Sequence, residues 1–187
     1  MRKSTIVLLL TGILSLVYVN GLAWHYAAIR SQGNLVYLEL APVDPISLVQ
    51  GQYMRLRFDL VRQQAALPEA ERDLFTEDPS AGVLAVLELD DNRVGTVTRL
   101  IPENPADSTI RELEHEYGSN GYALLGVEVD DRFRRIRLRQ NSFLFEENTP
   151  EKYNDARYGI FRVTDSGEYI LVDLAGEDFK PMTAVKK

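Results

Sequence analysis

The sequence predicts a mainly β fold (β-rich α+β), with an N-terminal transmembrane helix followed by an antiparallel, hairpin-built barrel or sandwich that carries two or three short helices. The first observation is a long uncharged segment near the N-terminus. The second is a series of segments that alternate apolar and polar residues, the period of a half-buried strand. The third is the set of Asp-, Asn- and Gly-rich turns between them. Since an open sheet would leave unprotected edges, we expect a closed meander.

The uncharged segment Thr5–Trp24 is long enough to cross a membrane. As a helix it would rise about 30 Å, which matches the hydrocarbon core of a bilayer. Arg2 and Lys3 precede it, and basic residues beside a span favour the cytoplasmic side. We therefore expect residues 1–30 to form a single-pass anchor and a short spacer, with the N-terminus inside the cell.

Cleavage of this segment as a signal peptide is the alternative. Gly21-Leu22-Ala23 fits a small-residue cleavage site, although the bulky Trp24 follows it and the apolar run is long for a signal peptide. The chain contains no cysteine, which excludes a lipoprotein. In both cases the remainder, residues 31–187, is predicted to be exported as one β-rich domain.

Composition narrows the possible functions. The chain has 187 residues, of which 45% are hydrophobic, enough to build a core. Its 28 acidic residues outnumber 21 basic ones, which argues against a nucleic-acid-binding protein. Without cysteine there is no thiolate metal site, and two histidines are too few for a histidine-built one. A metal site built from carboxylates alone remains open, but the sequence predicts no particular metal or cofactor.

The exported part divides into about eight predicted strands and two or three short helices. Prolines and Asp/Asn/Gly turns bound the strands, because proline cannot donate to a ladder and the other residues tolerate turn geometry. First-turn prolines and Ser or Thr caps start the helices. The predicted strands are Leu35–Ala41, Tyr53–Leu60, Val83–Leu89, Arg93–Ile101, Tyr122–Val129, Phe133–Phe145, Tyr158–Thr164 and Tyr169–Leu174. The predicted helices are Leu67–Thr76, Ser108–Tyr117 and Lys152–Ala156.

Two segments carry a family resemblance. Residues 51–58, GQYMRLRF, resemble the motif of the GDYXXLXY family, with Gln52 in place of the family's Asp and Phe58 in place of its final Tyr. Residues 141–163 resemble the C-terminal half of the same family, through a phenylalanine-rich strand and an ARYG segment. The positions that carry the resemblance are Gly51, Gln52, Tyr53, Leu56, Phe58, Phe143, Phe145, Glu146, Tyr153, Arg157, Tyr158 and Gly159.

The resemblance implies a bacterial membrane-anchored protein to which no activity is assigned. It also implies a partner among multi-pass membrane proteins of equally unknown role, which members of this family often accompany. No reaction and no catalytic residue follow from it.

Five arginines suggest an interaction surface. Two of them share one face of the strand that follows Gly51, and three share one face of the strand that begins at Phe133. If both strands line one cleft, several guanidinium groups would converge on a phosphate or carboxylate. The alternative is that ion pairs with neighbouring acids solvate an exposed face. The candidate interaction surface is Gly51, Tyr53, Arg55, Arg57, Arg135, Arg137 and Arg139.

Aromatic residues are concentrated in the two family-like segments. They could line the floor of a groove that binds a peptide or a glycan. Alternatively, they could form the core of a small β domain, since each large ring buries roughly 150–250 Å². The residues are Tyr53, Phe58, Phe143, Phe145, Tyr153, Tyr158 and Phe161.

No catalytic constellation is recognisable in the sequence, so we do not expect an enzyme. A serine nucleophile at Ser47 would need a desolvated lysine, and the chain has no Gly-x-Ser-x-Gly elbow and no Walker loop. A hydrolase is the least favoured alternative. It is kept because carboxylates near strand ends can serve in acid–base chemistry. These carboxylates are Asp44, Asp59, Glu146 and Glu147.

We expect an accessory or protein-interaction module of the bacterial cytoplasmic (inner) membrane, with a single span and its C-terminal domain in the periplasm or outside the cell. It would act with a multi-pass membrane protein. The alternative is a binding module for an anionic envelope ligand, which the arginine-lined face would hold.

Overall fold

The computed structural model describes residues 3–41, 49–50, 53–68, 82–130, 135–144 and 150–183. Within these ranges the α-helices are α1 (Lys3–Gln32), α2 (Leu60–Ala66) and α3 (Asp107–Tyr117), and Pro150–Tyr153 is a 3₁₀-helix. The strands are β1 (Asn34–Glu39), β2 (Val49–Gln50), β3 (Tyr53–Arg55), β4 (Val83–Leu89), β5 (Gly95–Pro102), β6 (Tyr122–Asp130), β7 (Arg135–Arg137), β8 (Ser142–Leu144), β9 (Tyr158–Val163) and β10 (Tyr169–Ala175).

The described strands pair in three antiparallel sheets that curl into a half-barrel, which confirms the mainly β fold. Their orders are β1-β9-β10, β2-β3-β8 and β5-β4-β6-β7. The hairpins β4–β5, β6–β7 and β9–β10 form as predicted. The predicted meander is wrong elsewhere, because β1 pairs with β9 and β3 pairs with β8 across long stretches of chain.

The main hydrophobic core joins residues from all three sheets, among them Leu38, Met54 and Leu87. Strand β4 is buried on both faces, which is why its sequence, VLAVLEL, is almost continuously apolar. One face contributes to the main core. The other contributes to a second cluster in which α3 covers the sheet through Leu113, a fully buried side chain.

Helix α2 closes the gap between the two edge strands of the four-stranded sheet. The side-chain oxygen of Gln63 accepts the N–H of Val97 in β5 at 3.0 Å. The oxygen of Gln64 accepts the N–H of Ile136 in β7 at 2.9 Å. Two neighbouring glutamines therefore satisfy backbone groups that an open edge would leave unpaired.

The predicted strand Tyr53–Leu60 is wrong in extent. Its ladder ends at Arg55, Phe58 forms an isolated bridge with Leu40, and Leu60 is already the first residue of α2. The predicted helix Leu67–Thr76 does not begin where expected, because Leu67 has an extended backbone. The residue before a proline avoids the helical region; residues 69–76 lie outside the described part of the chain.

Two other predicted elements also differ. The single strand predicted for 133–145 is divided into β7 and β8, which belong to different sheets. Between them the Arg139 N–H donates to the Tyr169 hydroxyl at 2.8 Å, and the Gln140 side chain accepts the Leu171 N–H at 2.9 Å. These contacts to β10 hold the turn. The helix predicted for 152–156 is the 3₁₀-helix, two residues earlier.

Helix α1 runs directly into the domain. Its residue Ile29 is only 4% exposed, and the N–H of Gly33 donates to the Ile29 carbonyl at 2.9 Å. The Arg162 guanidinium donates to the Gly33 carbonyl at 3.0 Å. A side chain at Gly33 would collide with backbone atoms of Ile29 and Val163, so only glycine fits. Helix α1 and the domain are therefore packed together.

Among the described helices, α1 is long and apolar enough to cross a membrane. The candidate span is Val7–Gln32, with a mean hydropathy of 1.9 in its most apolar stretch, and that stretch has no residue buried in the protein. Length and composition alone would be met equally by a signal sequence near the N-terminus.

Candidate functional site

The two family-like segments meet at the end of β1. The N–H of Leu40 donates to the Arg157 carbonyl at 2.8 Å, and the N–H of Ala41 donates to the Arg57 carbonyl at 2.8 Å. One segment therefore lies on each side of this short stretch. Residues that are a hundred positions apart in the sequence are fixed beside each other by main-chain hydrogen bonds.

A cleft of about 540 Å³ opens between these segments; we refer to it as the motif cleft. Its wall is apolar where the strands meet, aromatic beside the 3₁₀-helix and charged at the rim. This combination is typical of binding sites, which pair apolar area with a few polar groups. The lining residues are Glu39, Leu40, Ala41, Met54, Leu56, Arg57, Tyr153, Asn154, Ala156, Arg157, Tyr158 and Glu177.

The rim charges of the motif cleft balance in sign. Arg57 and Arg157 provide two positive charges, and Glu39 and Glu177 provide two negative ones. The Arg157 Nε lies 3.8 Å from a Glu177 carboxylate oxygen, and both side chains are well exposed. Exposed pairs contribute little to stability, at most about 1 kcal/mol. These side chains are therefore free to exchange one partner for another at small cost.

The aromatic residues of the two segments contribute mainly to the core behind the cleft. The rings of Phe58 and Phe161 meet edge to face with centroids 5.4 Å apart, and those of Phe143 and Tyr153 do the same at 5.4 Å. Phe58, Phe161 and Tyr153 are buried. Tyr158 is half-buried and lines the cleft. The Tyr53 side chain and Phe145 lie outside what the structure describes.

The structure places the predicted arginines in separate environments. Arg57 lines the motif cleft, whereas Arg139 lines another. Arg137 and Arg139 both pair with Glu128, at 3.1 and 3.3 Å, so the ion-pair interpretation holds for these two. Arg135 lies on the same exposed face of β7. The two other candidate positions, Gly51 and the Arg55 side chain, are outside the described part.

The hydrolase candidates are described only in part. Asp59 is buried and pairs with Arg62, whose guanidinium nitrogens lie 2.7 and 2.8 Å from one carboxylate oxygen. Ser47, Asp44 and the pair at 146–147 lie outside the described residues, as does Gln52. In the part that the structure describes, no three His, Asp or Glu side chains are grouped closely enough to hold a metal ion.

A second cleft, of about 610 Å³, lies where α1 meets the domain. Tyr26 and Ile29 of the helix face Arg139, Gln140 and Tyr169 across it. Sequence reasoning missed this site because its walls come from separate elements that no local pattern connects. Burial raises the pKa of the Tyr169 phenol, against the opposing effect of the hydrogen bonds from the backbone of Arg139 and Gln140.

These features define a class: a β-rich domain carried on an apolar N-terminal helix, with a cleft formed where two separate segments meet. The chain belongs to the GDYXXLXY family, whose family model, described as "GDYXXLXY protein", matches residues 15–174. No curated protein and no solved structure matches the chain.

Proposed function

We propose that this protein is a membrane-anchored interaction module whose motif cleft holds an extracytoplasmic segment of a multi-pass membrane protein. The observation that carries the proposal is the meeting of both family-like segments at one cleft. An apolar wall with a charge-balanced rim suits a segment of polypeptide, which presents apolar side chains together with charges of both signs.

The proposed location is the bacterial cytoplasmic membrane, with the N-terminus inside and the domain in the periplasm or outside the cell. Arg2 and Lys3 support this orientation, since basic residues flank the cytoplasmic end of a span. Trp24 and Tyr26 are exposed where the uncharged segment of α1 ends, a position at which interfacial aromatics are favoured. An uncleaved helix packed against the domain would hold the cleft close to the bilayer, within reach of neighbouring membrane proteins.

A photo-crosslinking experiment in intact membranes tests the proposal. A photoreactive residue at Asn154, an exposed lining residue of the motif cleft, should yield an adduct with a membrane protein. The same residue at Asp91, in the exposed β4–β5 turn, serves as the control and should yield none. Mass spectrometry identifies the attached protein.

Charge reversal at the rim makes the experiment specific. Arg57→Glu should reduce the Asn154 adduct by about tenfold, because an exposed arginine at an interface typically contributes about 1–2 kcal/mol. Arg111→Glu, on the exposed face of α3, should leave the adduct unchanged. Equal adducts from Asn154 and Asp91, or indifference to Arg57→Glu, would contradict the proposed contact surface.

An anionic envelope ligand is the second candidate, because Arg57 and Arg157 line the same cleft. Two guanidinium groups in one cleft suit a phosphate or a carboxylate. In this case, inorganic phosphate or anionic glycans should raise the melting temperature, salt should reverse the effect, and Arg57→Ser should abolish it. No stabilisation by either class of ligand would exclude this candidate.

A further inference from the structure

One face of α1 carries a regular seam. Its residues are spaced alternately by four and three positions, and the seam consists of Leu9, Ile13, Leu16, Asn20, Ala23 and Ala27. All six side chains are exposed; Leu9, Ile13 and Leu16 are 52%, 59% and 67% exposed. Spacing of this kind places residues along a single line on a helix that winds around another, as in a left-handed coiled coil.

Asn20 is the polar residue of this seam. Its Nδ2 donates to the Leu16 carbonyl at 2.8 Å, and among the described residues this is the one side-chain hydrogen bond that it makes. It lies four residues before Trp24, about 6 Å along the helix and inside the apolar stretch. In hydrocarbon no water can donate a hydrogen bond to the side-chain carbonyl oxygen of Asn20. A hydrogen bond from a second polar group is therefore favourable.

The part of the domain that the structure describes leaves the seam open. Ile29, the helix residue buried against the domain, is nine positions after Asn20. Nine residues are two and a half helical turns, so the two side chains lie on opposite sides of α1. His25, whose Nε2 lies 3.3 Å from Glu168, is also turned away from the seam by about 140°. A helix that packs on the seam would therefore lie on the side of α1 away from these contacts with the described domain.

We propose that α1 binds a second copy of itself in the membrane, as a parallel left-handed pair in which the two Asn20 amides hydrogen-bond to each other. This inference rests on the proposed membrane anchor. Two copies inserted with the same orientation are parallel, and insertion to the same depth brings Asn20 opposite Asn20. The β-branched residue Ile13 and the polar residue Asn20 alternate with Leu9 and Leu16, the arrangement that favours two-stranded parallel pairs. Ala23 and Ala27 allow close approach beside the domain.

Because the chain has no cysteine, single-cysteine crosslinking is a clean test. Leu16→Cys lies on the seam, and Leu14→Cys lies about 200° around the helix as the matched control. After oxidation of membranes that contain the full chain, we expect a disulfide-linked dimer of Leu16→Cys and a monomer of Leu14→Cys. Asn20→Leu in the Leu16→Cys chain should lower the dimer fraction by about fivefold, whereas Asn20→Gln should largely preserve it.

Three results would overturn the pairing: equal crosslinking at both cysteines, an adduct with a different protein in place of the dimer, or no effect of Asn20→Leu. Alkaline extraction of the same membranes separates the two proposals. A chain that stays in the membrane without forming the dimer refutes the pairing alone. A chain that is released, or that begins after Ala23, refutes the anchor and the pairing together.

Discussion

At the scale of single residues, Gly159 occupies a crowded point behind the motif cleft. A Cβ built there would lie 2.8 Å from a ring carbon of Phe58 and 2.9 Å from one of Phe161. Both rings are buried in the core, so neither can move without displacing its neighbours. The glycine therefore sets how closely β9 approaches the segment that follows β3.

We expect Gly159→Ala to lower the free energy of unfolding by about 1–3 kcal/mol, because the added methyl group overpacks the core. Gly176→Ala is the matched control. Its Cβ would meet no atom closer than 3.5 Å, which is ordinary contact. Denaturant unfolding of both variants measures the difference. Equal stability of the two would show that the rings adjust without strain.

Tyr169 links β10 to the turn after β7 through its hydroxyl, which accepts the Arg139 N–H. Burial raises the pKa of this phenol above its ordinary value of about 10. The folded protein therefore holds the proton more tightly than the unfolded chain does. The stability that results is present below about pH 10 and is lost as the pH rises above that value.

The free energy of unfolding should accordingly fall with pH above about pH 10, and it should fall less steeply in Tyr169→Phe. Urea titrations at several alkaline pH values measure both slopes. Parallel slopes for the two proteins would mean that another group accounts for the alkaline loss. Tyr122 is the first to examine, since burial, followed by the charges of Glu114 and Asp165, also raises its pKa.

At the scale of secondary structure, α2 is the element on which the curled sheet depends. It is buried through Leu60 and Gln64, one helical turn apart. The buried glutamine accepts a main-chain N–H of β7, so it forms part of the sheet edge. A seven-residue helix is too short to be stable alone. Its packing against the two edge strands is what stabilises it.

Gln64→Met preserves the side-chain volume and removes the acceptor. We expect it to lower the free energy of unfolding by about 1–3 kcal/mol, the cost of a buried N–H without a partner. Gln63→Met is the control, with a smaller effect expected because the Gln63 side chain is only partly buried, whereas Gln64 is buried. Hydrogen exchange at Ile136 should also accelerate in Gln64→Met alone. An equal loss in both variants would contradict the special role of Gln64.

The elements that could be predicted from the sequence are those with local signals. The pairs β4–β5 and β9–β10 combine short apolar segments with recognisable turns, and Gly167, at φ +86°, lies in the second turn. The boundary between β3 and α2 was not predictable in this way. Apolar residues continue at every second position up to Leu60, since Leu56 and Phe58 remain buried after the ladder has ended.

The candidate site was only partly predictable for a similar reason. Arg57 and Arg157 each belong to a family-like segment, so the sequence identifies them separately. Their meeting depends on β1 pairing with β9 and on Leu40 bridging Phe58. Contacts between residues so distant in the chain leave no local pattern. The ion-pair alternative did anticipate a neighbouring acid for Arg137 and Arg139, and the alignment of β6 with β7 shows that this acid is Glu128 for both.

At the scale of the whole molecule, the joint at Ile29 and Gly33 holds α1 and the domain together. We expect Ile29→Ala to lower the free energy of unfolding by about 2–5 kcal/mol, as for other buried large-to-small changes. The exposed neighbour Arg30 provides the control. Arg30→Ala should change the free energy of unfolding by less than about 0.5 kcal/mol. Protease cleavage near Gly33 should accelerate in Ile29→Ala. Unchanged cleavage would indicate that the joint is secured without Ile29.

The joint also has a mechanical consequence. Since Gly33 has no room for a side chain and is tied to both Ile29 and Arg162, it cannot act as a loose swivel. The β-rich domain therefore tilts or rotates together with α1. Whatever fixes the angle of α1 therefore also determines the direction in which the motif cleft opens.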